Sequence, residues 1–220
     1  HDNVIVSATI NCDLLNRVAR QSSAWMDIIS KLPAELELKS PKVRIFLSPD
    51  AKVLFDLERC LRLPNATRFQ ALGNPRRSRC LLREDGLTFI LTTFFPGDDG
   101  FEVELAHDLS HAMCQQFIPT TSPAIDEGIA EELGSFLSGK SCWELWQHTT
   151  SGATSALLRK GGSADQLRSS WDVRELVQMP YEEFHREAAW PWNIIRARLL
   201  SSVLIHWGGP WLGLRKLSEV

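Results

Sequence analysis

A chain of 220 residues, 44% hydrophobic and 23% charged, is long enough to bury a sizeable core and has the balance of an ordinary globular protein. Its net charge of −3, with no Lys/Arg run longer than two, argues against nucleic acid as a partner. No apolar run reaches the roughly 20 residues of a membrane span, Leu199–Trp207 being the best approach to one.

The first residue is His1 and not Met, which is consistent with removal of an upstream segment. Five scattered cysteines (Cys12, Cys60, Cys80, Cys114, Cys142) include no CxxC pair, and fit reduced thiols or one disulfide such as Cys60–Cys80 equally well. The triplet Asn65-Ala66-Thr67 is a glycosylation sequon of a kind that arises often by chance. The compartment stays open, with a slight lean towards a secreted or periplasmic one.

In chain order, Val4–Ala8 reads as a short strand. The spacing of Leu14, Leu15, Val18, Trp25, Ile28 and Ile29 predicts a helix over Cys12–Leu32, stopped by Pro33. Lys42–Leu47 alternates like a strand, and Ser48-Pro49-Asp50 punctuates it before a helix through Leu61. After an irregular stretch, strands at Arg79–Arg83 and Leu87–Phe95 flank the tight turn Glu84-Asp85-Gly86. Beyond the loop Gly97–Gly100 the pattern becomes helical: Phe101–Phe117, Pro123–Leu137, Val173–Gln178, Tyr181–Glu187, Pro191–Trp207 and a last helix near Trp211–Leu217. A mixed first half and an all-helical second half predict an α+β protein. It would be one domain of two lobes, 1–118 and 119–220.

The informative stretch is Phe101–Gly134. Val103, Ala106, Leu109, Met113 and Phe117 recur near helical period, predicting an amphipathic helix. His107 and His111 stand four residues apart on it, so both imidazoles share one face and reach one tetrahedral ion. By themselves they are equally two histidines on a polar face. A second helix opens with Ser122-Pro123, an N-cap followed by proline at the first helical position. On it Glu127 supplies an oxygen ligand, while Glu131 and Asp126 are placed to accept the outer N–H groups of the ligating histidines. Gly128 and Ala130 are small, as close packing of two helices around an ion requires. An acidic solvated face would explain the carboxylates, but not a mid-helix glycine costing about 1 kcal/mol.

His107-Asp108-Leu109-Ser110-His111, followed after fourteen residues by Asp126-Glu127-Gly128-Ile129-Ala130-Glu131, resembles the gluzincin metallopeptidases, whose pattern is HExxH and then a helix of the form (N/D)-E-G-x-A-E. The resemblance spans roughly Lys42 to the C-terminus and is strong only at these two helices. It implies a zincin-like fold, a small mixed sheet lobe with the active-site helix followed by a helical lobe. It further implies zinc held by His107, His111 and Glu127, with Glu131 as the outer acid, and a peptide or protein substrate. It also places Leu87–Phe95 as the edge strand beside that substrate.

Two departures bear on activity. The glutamate expected to take a proton from metal-bound water is Asp108 here, one methylene shorter, and a misplacement of about 1 Å can cost ~10²-fold in rate. The tyrosine expected early in the closing helix is replaced by Trp190-Pro191-Trp192-Asn193, leaving Tyr181, His206 and Arg196 to stabilise an oxyanion. Each has an ordinary alternative as a core ring, a core histidine or a surface charge. His148 and His185 read as surface or core residues, and Cys114 as a buried thiol. The expectation is a zinc metallopeptidase with Asp108 as general base; the alternatives are a zinc-binding pseudoenzyme of the same fold, and a helical interaction domain with a coincidental histidine pair. Oligomeric state is not legible.

Overall fold

The computed structural model describes residues 4–9, 12–30, 42–61, 78–82, 87–93, 101–117, 122–139, 172–186 and 190–206. They form a mixed α+β protein, mostly helical, with one four-stranded sheet. The elements are β1 (Val4–Ala8), α1 (Cys12–Ser30), β2 (Lys42–Ser48), α2 (Ala51–Cys60), β3 (Ser78–Leu82), β4 (Leu87–Thr93), α3 (Phe101–Phe117), α4 (Pro123–Ser138), α5 (Val173–Gln178), α6 (Tyr181–Phe184) and α7 (Trp190–His206). The chain divides into two compact units, His1–Phe117 and Ile118–Val220. The helix expected near Trp211–Leu217, the sequon at Asn65, and His148 and Cys142 lie outside the described residues.

In the first unit the strand order is β1-β2-β4-β3. β1, β2 and β4 run parallel, with Val4 opposite Val43 and Val43 opposite Thr88. β3 returns antiparallel to β4, pairing Ser78 with Thr92 and Leu82 with Thr88, as a hairpin requires. The family resemblance had β4 as the edge strand, and the sheet corrects this. β4 lies between β2 and β3, and the edge beside it is β3. The physical reason is visible in β4 itself, where Thr88 through Thr93 are all buried, as befits an interior strand covered on both faces. On one face Phe89 and Leu91 pack with Leu54, Leu81 and Phe46, and the Phe46 and Phe89 rings lie parallel at 6.2 Å. Asp50 starts α2 by accepting from the Lys52 amide at 2.8 Å.

α3 packs against β3, β4 and α1. Of the residues whose spacing predicts an amphipathic helix, Ala106 and Leu109 are buried and Val103 is half-buried. Phe101, Leu105, Ala106, Leu109 and Ala112 are buried, but so are Asp108, Ser110 and His111. Burial along residues 101–112 thus extends beyond the apolar positions to polar side chains. Cys60 and Cys80 are both free thiols, so of the two readings of that pair the disulfide is not adopted.

In the second unit α4 is built as its sequence directs. Ser122 caps it, with its hydroxyl 3.5 Å from the Ile125 amide, Pro123 occupies the first turn, and Gly139 ends it at φ 65° in the left-handed region. α7 lies against α4 so closely that a Cβ on Gly128 would stand 2.3 Å from the Ala197 carbonyl oxygen and 2.4 Å from Ser201 Oγ. The glycine was expected to let two helices close around an ion; its observed neighbour is instead the backbone of α7. Arg198 of α7 is buried against the same helix, donating to Ser135 Oγ at 3.0 Å and facing the carboxylates of Glu131 (3.7 Å) and Glu132 (3.6 Å). Ala124, Leu176, Met179, Phe184, Ile194 and Ala197 form the apolar core between these helices.

Gly128→Ala is therefore expected to lower stability by about 1–3 kcal/mol, despite the roughly 1 kcal/mol that alanine gains in helix propensity. Denaturant midpoints measure it. Adding Ser201→Ala should not rescue the variant, because the obstructing Ala197 carbonyl is backbone. An alanine variant as stable as the parent would contradict the close approach.

Candidate metal centre

One helical turn separates His107 from His111 on α3, and their Nε2 atoms stand 3.0 Å apart with the rings edge to face at 86°. Two nitrogens bound at about 2.0–2.1 Å to one tetrahedral ion are roughly 3.3 Å apart, so a small ring movement brings this pair onto an ion. Between them on the helix, Ser110 closes its hydroxyl onto the Ala106 carbonyl at 2.8 Å, as a buried serine in a helix does.

Glu127 lies in the second turn of α4 and is 8% exposed. One ligand atom from each of His107, His111 and Glu127 lies within 4.8 Å of the other two, the one such group among the described residues. This His/His/Glu group can hold a metal ion. Two imidazoles and a carboxylate are the donor types that divalent first-row ions take, and three protein donors leave a fourth position open.

Asp108 is 6% exposed on α3, beside His107 in sequence. Asp126 and Glu131 are both half-buried on α4, and one oxygen of Glu131 faces Arg198. Tyr181 is 47% exposed at the start of α6. The side chains of His206 and Cys114 lie outside what the structure describes. Arg196 is buried on α7 and donates to the Asp172 carbonyl at 3.2 Å, tying α7 to the start of α5. Loss of hydration pulls its pKa below the ordinary value, and the charges of Glu175 and Asp172 push it back up. That engagement makes Arg196 a strut between helices.

Sequence reasoning missed His185. It was read as an ordinary surface or core residue, yet its Nε2 lies 3.0 Å from Glu127 Oε1, with both side chains almost wholly buried. Its ring stacks on Tyr181 with centroids 3.9 Å apart, so the exposed tyrosine reaches the carboxylate group through it. No sequence signal marks the contact, because 58 residues separate the partners. No family model matches the chain, and comparison with curated proteins and with solved structures likewise gives no match.

Proposed function

We propose that the chain is a zinc-dependent metallopeptidase of the gluzincin type, with Asp108 as general base. The observation that carries this reading is the convergence of His107, His111 and Glu127 on one point. The order of elements supports it: a small mixed sheet leads into the helix bearing both histidines, and helices follow. Nitrogen and oxygen donors in this ratio suit zinc. When bound, zinc would polarise a carbonyl and acidify a water molecule. Asp108 is the carboxylate on this chain that would take the proton and return it to the leaving amine. A peptide or protein is the substrate class that follows. Among the described residues no helix is long and apolar enough to cross a membrane.

The second reading is a zinc-binding pseudoenzyme of the same fold, serving a binding role. The short side chain at Asp108 favours it, since a retreating carboxylate impairs turnover without touching the ligands.

Protein purified without chelator is expected to carry about one zinc per chain. Mass-spectrometric metal analysis checks this, followed by peptide hydrolysis with and without chelator. Less than about 0.2 equivalents with no uptake of added zinc would remove the site. Iron in place of zinc would point to a two-histidine, one-carboxylate oxygen-activating centre. Zinc without chelator-sensitive hydrolysis would select the pseudoenzyme.

A further inference from the structure

His185 touches a proposed ligand, and the reading above leaves it without a role. It is not itself among the converging donors, although it lies within hydrogen-bond distance of Glu127. Its ring is held on three sides. Nδ1 is 2.9 Å from the Tyr181 carbonyl oxygen, the Tyr181 ring stacks on it at an interplanar angle of 30°, and the Phe184 ring meets it at 63°. The support beneath is rigid. Phe184 is fully buried, and its carbonyl accepts from Asn193 Nδ2 of α7 at 2.9 Å.

We propose that His185 is a positioning residue of the metal centre, an imidazole that fixes the Glu127 carboxylate in the orientation that presents it to the ion. The proposal rests on the metal site put forward above and assigns a residue outside its ligand set. Its two ring nitrogens face oxygen atoms, Nε2 towards Glu127 Oε1 and Nδ1 towards the Tyr181 carbonyl, and a ring turned over would place carbon where Glu127 meets nitrogen. A glutamate side chain has three rotatable bonds, and ordering it costs side-chain entropy of up to about 1.5–2 kcal/mol. A buried hydrogen bond to one oxygen meets that cost during folding, before metal arrives. Partners of metal ligands act this way, and their loss typically lowers metal affinity 10–100-fold. Tyr181 contributes from outside, with its carbonyl setting the ring's tilt and its face covering the ring.

The test uses the full chain and zinc or cobalt(II) alone as probes. His185→Phe keeps the ring and its stacking but removes the donor; His185→Gln keeps an N–H donor near the place of Nε2. Competition with a chromogenic chelator should show His185→Phe binding zinc 10–100-fold more weakly, with His185→Gln recovering most of the loss. The cobalt(II) absorption bands should shift in the Phe variant and return towards the parent in the Gln variant. Zinc binding by His185→Phe as tight as the parent's overturns the proposal and leaves the metal site standing. Equal losses in both variants, tracking a lowered melting temperature of the metal-free proteins, also overturn it, as a merely structural role would give that. A parent chain that takes up no zinc overturns both the site and the proposal. Should His185→Phe fail to fold, the parent itself decides: saturating zinc should move the His185 Nε2 nitrogen resonance, and an unmoved resonance overturns the proposal.

Discussion

Glu127→Ala should lose zinc affinity by more than the 10–100-fold typical of an outer partner, while Glu131→Ala should stay within that range or below it. The difference follows from what each carboxylate touches. Glu127 is one of the three groups whose donor atoms converge. Glu131, one turn further along α4, has an oxygen 3.7 Å from the buried guanidinium of Arg198. Removing Glu131 therefore disturbs the packing of α4 on α7 as well as any hydrogen bond to a ligating histidine. It should appear in the melting temperature of the metal-free protein, because a buried arginine loses part of its compensation. Glu132 and Ser135 still face Arg198, which limits that loss. Chelator competition and thermal melting of the metal-free variants separate the two effects. Equal loss of zinc from both would contradict this division of roles, and a larger loss from Glu131→Ala would mean that they are exchanged.

The metal group was legible in the sequence because two of its three members are local. His107 and His111 are four apart, so any α-helix through them brings their rings together, and only Glu127 had to be supplied by the second helix. Helix and strand positions were legible for the same reason, since Asp50 and Ser122 announce their own caps and the alternation of Lys42–Leu47 needs no partner to be seen. What could not be read was non-local. Gly128 was rightly picked out as a packing glycine, but its neighbour, Ala197, is far along the chain, and the metal was the wrong explanation for its size. His185 was passed over because a lone histidine in a short helix carries no pattern; its meaning lies in Glu127. The position of β4 is different. Leu87-Thr88-Phe89-Ile90-Leu91-Thr92-Thr93 has almost no polar alternation, as an interior strand should, whereas the family resemblance implied an edge.

Asp108→Asn should abolish chelator-sensitive hydrolysis and leave zinc content unchanged. Asparagine matches the volume of aspartate but cannot take the proton, and loss of a general base typically costs 10²–10⁴-fold. Zinc is retained because Asp108 is not among the converging donors. Asp108→Glu divides enzyme from pseudoenzyme. At 6% exposure the carboxylate is held among packed neighbours, so it has little freedom to swing outward and make up for its missing methylene. Glutamate restores the reach, at a packing cost of about 1–3 kcal/mol that would register as a lower melting temperature and not as a lower rate. The expected result is low hydrolysis by the native chain and an increase in Asp108→Glu. A gain of up to about 10² would match the cost of misplacing a reacting group by about an ångström. Steady-state rates on a peptide mixture, with zinc occupancy measured on the same samples, provide the check. Robust cleavage by the native chain that falls in Asp108→Glu would mean that the site is fitted to aspartate, with the added methylene crowding the attacking water.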